Sequence, residues 1–271
     1  MTEWTAFRVQ DRGPVAEVTL LGPGKHNALG PDFWRELPQV FEALNASSAV
    51  RAIVLTGSGA NFSSGLDVAA MRHHFMPVLR DPGLAEPRAA FHLWIRQMQA
   101  AITAVAECRK PVLAAIQGVC VGGAMDLISS VDIRYASADA TFSVREVRLA
   151  MVADTGSLHR LPAIVGDGHL RELAYTGKFI DAARALQIGL VNAVLPDLAS
   201  AQEAARATAA EIAGNSPFTV QGIKDVLNHG RAADIDSGLR YVAARNAAFG
   251  PSPDLREAFD PEPRAARFTR P

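Results

Sequence analysis

Two short, uninterrupted apolar runs, Ala52 to Thr56 and Val112 to Ile116, each lead into a glycine-rich turn, and this arrangement constrains the fold most. Apolar runs of this kind read as strands buried on both faces of a parallel sheet. Around them, Val15 to Leu21 alternates apolar and polar residues and ends at Gly22-Pro23-Gly24, the pattern of another strand. Gly30-Pro31 opens a helix with Phe33, Leu37, Phe41 and Leu44 on one face, and Pro38 is expected to kink or split it. A helix from Phe91 to Glu107 leads into Val112, and Gly118 and Gly122-Gly123 open a further helix through Ile128. Strands at Ile133 to Tyr135 and Thr141 to Ser143 follow.

Beyond these, helical patterns succeed one another: Leu158 to Val165, Leu170 to Thr176, Ala182 to Ile188, Leu198 to Ala213, Pro217 to Asn228 and Ile235 to Phe249. Strands alternating with helices, then helices alone, predict an α/β fold with a parallel-sheet core and a helical C-terminal part. The division expected is residues 1–195 for the core with the site, and 196–271 for helices that cover it or make subunit contacts. The segment from His73 to Arg88, with three prolines, is expected to be a mobile loop.

The 271 residues are 49% hydrophobic, enough to fill a sizeable core, and 27 Lys and Arg nearly cancel 28 Asp and Glu. The summed charge gives no broad attraction to nucleic acid or to an anionic membrane surface. Cys108 and Cys120 lack metal-ligand spacing and read as buried free thiols. No metal site is expected. Met1 to Gln10 has no cationic start followed by an apolar run, and Phe268-Thr269-Arg270-Pro271 is not a Ser-Lys-Leu address, so the cytoplasm is the expected compartment.

Three carboxylates stand among apolar and glycine residues that read as interior: Asp126, Glu146 and Asp154. Each has a structural reading beside a chemical one. Asp126 falls in the first turn of a helix, where the dipole favours negative charge; Glu146 has Arg145 and Arg148 beside it for an ion pair; Asp154 precedes a helical pattern as an N-cap would. The Gly122-Gly123 turn leaves unpaired N–H groups that suit a phosphate or an oxyanion, or it is a tight turn where only glycine fits. It lacks the Gly-x-Gly-x-x-Gly dinucleotide spacing. Ser64-Gly65-Leu66-Asp67 is a second such turn, or a surface loop closed by an Asx turn at Asp67. Two turns after neighbouring parallel strands can aim two N–H groups at one oxygen.

Ala114-Ala115-Ile116-Gln117-Gly118, Gly122-Gly123-Ala124-Met125-Asp126-Leu127 and Val131-Asp132-Ile133-Arg134-Tyr135-Ala136 together resemble the signature of the crotonase (enoyl-CoA hydratase/isomerase) superfamily. The resemblance runs from Thr5 to Phe249. It includes Lys25-His26-Asn27-Ala28-Leu29, the loop Gly57 to Asp67, Arg160-Leu161-Pro162 and Gly189-Leu190-Val191-Asn192. Family members that hydrate enoyl-CoA usually carry Glu at the first two acidic positions. Asp126, with Glu146 following after 20 residues and Asp154 after 28, instead resembles the dienoyl-CoA isomerase subfamily.

The resemblance implies a ββα spiral core, an acyl-CoA thioester substrate, no cofactor beyond the CoA carried by that substrate, and a homotrimer or dimer of trimers. It implies that the N–H groups of Leu66 and Gly123 form an oxyanion hole. Glu146 would be the base that takes a proton from C2, Asp154 the acid that returns one at C6, and Asp126 a group that orients or tunes Glu146. Lys25, Ala28, Ser64, Gly65, Asp67 and Val68 would lie along the CoA, although Lys25 reads equally as a solvated loop lysine. His73 and His74 read as surface or acyl-pocket residues. Two alternatives stay open: an enoyl-CoA hydratase, in which Asp126 and Glu146 hold one water, and a non-catalytic acyl-CoA-binding homologue.

Overall fold

The computed structural model of the chain describes residues 3–22, 26–80 and 84–230. Lys25, the expected helix Ile235 to Phe249 and the tail from Asp260 lie outside the described residues. Strands β1 (Phe7–Arg12) and β2 (Val15–Leu20) form an antiparallel hairpin. Helix α1 (Pro31–Ala46) crosses to β3 (Ala52–Gly57), and α2 (Arg72–Arg80) and α3 (Ala85–Glu107) lead to β4 (Val112–Ile116). The short strand β5 (Val119–Val121) precedes α4 (Gly123–Ser129), β6 (Ile133–Ser137) and β7 (Thr141–Ser143). After a 3₁₀ turn, Glu146–Leu149, come α5 (Ser157–Arg160), α6 (Pro162–Val165), α7 (Asp167–Thr176), β8 (Ile180–Asp181), α8 (Ala182–Gln187), β9 (Ala193–Leu195), α9 (Leu198–Ala213) and α10 (Pro217–Gly230).

The large sheet has the order β1-β2-β3-β4-β6-β9, and every pairing after the hairpin is parallel. Its two faces bury alternate residues. Ile53, Leu55, Ala114 and Ile116 enter the main core with Phe33, Leu37 and Phe41 of α1 and Ile102 and Val105 of α3. Ala52, Val54, Leu113 and Ala115 pack instead against Ala201, Ala205, Ala209 and Ala213 of α9. Because both faces are covered, β3 and β4 are continuous apolar runs rather than alternating ones. A second, small sheet has the order β5-β7-β8, with β5 and β7 parallel and β8 antiparallel to β7.

Two sequence expectations meet a different outcome. Helix α1 is not split at Pro38 but continues through it from Pro31 to Ala46. The missing donor and the ring clash cost about 3 kcal/mol, whereas each fully buried Phe or Leu contributes about 1.5–3 kcal/mol. Phe33, Leu37, Phe41 and Leu44 are all buried, so packing outweighs the local penalty. The second expectation, a mobile loop from His73 to Arg88, is replaced by α2 and the start of α3 on either side of residues 81–83. Pro87 falls in the first turn of α3, where no N–H is required. Pro77 lies inside α2, but that helix is pinned by aromatic contacts: the Phe75 ring meets Phe91 at 5.5 Å and Trp94 at 5.1 Å, and His74 stacks on Trp94 at 4.5 Å.

Candidate active site

The loops after β3 and β4 meet at the carboxyl ends of the parallel strands, where α/β sheets form their crevices. Asn27, buried and in the left-handed region that asparagine tolerates, donates its amide to the carbonyls of Ser58, Asn61 and Phe62. Asn61 Oδ1 in turn accepts the Val119 N–H at 2.9 Å. Leu29 bridges Leu66, and Ser63 bridges Cys120, so three loops are laced together by backbone.

This lacing brings the two glycine turns into contact. Gly65 has φ +81°, and a Cβ added there would lie 2.5 Å from the Val121 carbonyl and 3.2 Å from the Gly123 nitrogen. A Cβ on Gly123 would lie 3.7 Å from the Leu66 nitrogen. The N–H groups of Leu66 and Gly123 therefore stand side by side, and neither finds a backbone acceptor among the described residues. Gly123 is the first residue of α4, whose leading N–H groups have no partner within the helix.

A cavity of about 180 Å³ opens beside these donors. One wall is aromatic and apolar: Trp34, Phe75, Phe91, Trp94 and Met98. The lining also carries Asp126, Glu146 and Asp154, and includes Ser64, Leu66, Val68, Gly122 and Gly123. The aromatic wall was not anticipated as part of a site, although Phe91, Trp94 and Met98 recur at one-face helical spacing.

Glu146 owes its place to the small sheet. Strands β5 and β7 pair in register, Val121 with Ser143, and the Gly122 N–H donates to the Ser143 carbonyl at 3.0 Å. The chain leaving β7 therefore passes the Gly122 turn, and a Cβ at Gly122 would sit 3.5 Å from Glu146 Oε1. The expected ion pair with Arg145 or Arg148 is not made. Arg145 donates to the Gly177 carbonyl and lies over the Phe179 ring at 4.6 Å, so its charge is turned away. Glu146 Oε2 is buried without a hydrogen-bond partner among the described residues. Burial first, then the charges of Asp126 and Asp154, push its pKa up to about 7.

Asp126 keeps its place in the first turn of α4 and also takes the structural role read for Asp154. Asp126 is 1% exposed, and its Oδ1 accepts the Ser157 N–H at 2.6 Å, at the start of α5. The capping bond anticipated for Asp154 is thus made by a carboxylate from α4. Burial raises the Asp126 pKa, and the Thr155 hydroxyl and the Ser157 N–H hold part of that rise back. Asp154 is exposed as a residue rather than interior, yet its carboxyl borders the cavity. Partial burial and then the charge of Asp126 raise its pKa as well.

Of the other residues singled out, Gly65 is buried behind the lining, and Ala28 is half-buried next to the Leu29 bridge. Asp67 Oδ1 accepts the Ala70 N–H at 2.9 Å, the Asx closure of its loop. His73 and His74 lie on α2, with the His74 pKa lowered by burial and then by His73. Among the described residues no group of His, Cys, Asp and Glu is placed to hold a metal ion, and no helix is long and apolar enough to cross a membrane.

Residues 10–254 match the enoyl-CoA hydratase/isomerase family. A peroxisomal delta(3,5)-delta(2,4)-dienoyl-CoA isomerase of Arabidopsis thaliana is 42% identical over 238 residues, covering 87% of this chain and 85% of that one. A mitochondrial protein of the same name from Dictyostelium discoideum is 38% identical, covering 95% and 88%. The crystal structure of an enoyl-CoA hydratase from Bacillus anthracis superimposes with a TM-score of 0.83 at 27% identity, covering 94% of each chain. With a parallel sheet crossed by paired glycine turns and a match over nearly its whole length, the chain is an enzyme that belongs to the enoyl-CoA hydratase/isomerase family.

Proposed function

We propose that this enzyme isomerises a 3,5-dienoyl-CoA to the 2,4-dienoyl-CoA. The observation that carries the reading is the division of labour among the carboxylates. Glu146 and Asp154 border one apolar cavity with free or partly exposed carboxyls, while Asp126 is committed to the Ser157 N–H.

The thioester oxygen would accept the N–H groups of Leu66 and Gly123; donors of this kind contribute about 3–4 kcal/mol each when judged by deletion. Ala28 and the Ser64 to Val68 loop would run along the CoA, and Lys25 is assigned there from sequence. Ionised Glu146 removes a proton from C2, giving a trienolate whose electrons spread from the thioester oxygen to C6. Asp154 delivers its proton to C6, which leaves double bonds at C2 and C4. Glu146 then holds a proton and Asp154 lacks one, and exchange with solvent resets both. A pKa near 7 suits a base working at neutral pH, and the raised Asp154 pKa favours the protonated acid.

The hydratase reading needs Asp126 and Glu146 to share one water. The short bond from Ser157 to a nearly inaccessible Asp126 argues against that use. A non-catalytic acyl-CoA-binding role leaves unexplained the buried Glu146 Oε2, which has no hydrogen-bond partner among the described residues. Purified protein given 3,5-octadienoyl-CoA should generate conjugated 2,4-diene absorbance and should hydrate crotonyl-CoA slowly or not at all. Hydration of crotonyl-CoA without any diene signal would overturn the isomerase reading.

A further inference from the structure

Apart from its own backbone N–H, the Asp154 carboxyl meets no hydrogen-bond donor among the described residues, so its aim depends on its backbone. That backbone is gripped from α3. Gln99 Nε2 donates to the Asp154 carbonyl at 2.6 Å, and Gln99 Oε1 accepts from Arg96 at 2.6 Å. One residue on, Arg160 donates to the Thr155 carbonyl at 3.4 Å and to Thr103 Oγ1 of α3 at 3.0 Å. Helix α3 therefore presents two stripes to the site. Phe91, Trp94 and Met98 line the cavity, while Gln99 and Thr103 face the loop that bears Asp154.

We infer that Gln99 is the positioning residue for Asp154. Fixing the carbonyl restrains the peptide plane between Asp154 and Thr155, and with it the direction of the Asp154 Cα–Cβ bond from which the carboxyl is carried. Proton delivery to carbon depends on that direction within a fraction of an ångström. The donor is also a neutral amide. A Lys or Arg directly on this carbonyl would place a cation beside the carboxyl and favour its ionised form, the wrong state for an acid. Because the same helix forms the aromatic wall, the acyl chain and the acid are referenced to one rigid element.

This inference rests on the isomerase reading, and the experiment separates the two. In D2O, deuterium entering C2 of recovered 3,5-octadienoyl-CoA reports the step of Glu146, and formation of the 2,4-diene reports protonation at C6. In Gln99→Leu and Gln99→Glu, isomerisation should fall roughly ten- to hundredfold, while deuterium exchange at C2 stays within about twofold of wild type. Retained exchange also shows that both variants fold and bind. Unchanged isomerisation would overturn the assignment, and so would a parallel loss of both steps, which would mean that Gln99 supports the whole site. If the wild-type protein exchanges C2 but forms no 2,4-diene, the isomerase reading falls first and the assignment with it.

Discussion

Glu146 Oε2 is buried without a hydrogen-bond partner among the described residues, and such a group destabilises the fold that contains it. Lifting a carboxyl from 4.5 to about 7 corresponds to an ionisation cost on the order of 3 kcal/mol. The sign follows from proton counting. Below about pH 4.5 the group is protonated folded or unfolded, and there is no cost. Between about 4.5 and 7 only the unfolded chain releases the proton, so stability is lost as pH rises; above about 7 the loss is complete. Glu146→Gln removes the titration. Its thermal midpoint should match wild type at pH 4, rise above it through neutrality and keep a constant lead at pH 8, while isomerisation is abolished. A lead that is the same at every pH would contradict this placement of the cost. The spacing of the three carboxylates marked them from sequence, but their partners did not: which aspartate caps α5 is decided by α4 meeting that helix in space.

At the level of elements, α9 shows how packing sets what a segment is. Its alanines at every fourth position, 201, 205, 209 and 213, are all buried on the outer face of the sheet. Small side chains let the helix backbone lie close, and the sheet answers with Ala52 and Ala115 as well as Val54 and Leu113. Ala205→Leu adds three carbons at a fully buried position packed on the sheet, and overpacking of this kind costs about 1–3 kcal/mol. The denaturation midpoint should drop accordingly, with turnover of the folded fraction unchanged, because α9 lies across the sheet from the main core. A variant as stable as wild type would mean that α9 stands off the sheet. Helix α9 was readable from its own periodicity. Helix α2 was not, since three prolines within His73 to Arg88 argue locally for a loop and only Phe91 and Trp94, from another helix, argue otherwise.

Across the whole molecule, the parallel order of strands was legible because covered strands must be continuously apolar, as β3 and β4 are. Strand β5 was not: it lies between Gly118 and Gly122-Gly123, which read as one turn into a helix, and only pairing with β7 makes it a strand. Yet β5 decides where the two N–H groups proposed as oxyanion donors stand, since Val121 at its end abuts Gly65 from the loop after β3. The pair of donors is thus a property of two sheets meeting, and it can be tested with two glycines of like backbone. Gly59 and Gly65 have φ +68° and +81°, so an alanine at either incurs the left-handed penalty of about 1–2 kcal/mol. At Gly59 the new Cβ meets nothing within 4 Å, whereas at Gly65 it lands 2.5 Å from the Val121 carbonyl. Gly59→Ala should lose only that modest stability and keep kcat. Gly65→Ala must push the loops apart, and displacing one donor should lower kcat by about 10²–10³-fold. Equal rates for the two variants would show that contact between the glycine turns does not set the donor pair, and the measurement needs only turnover and melting curves on the same samples.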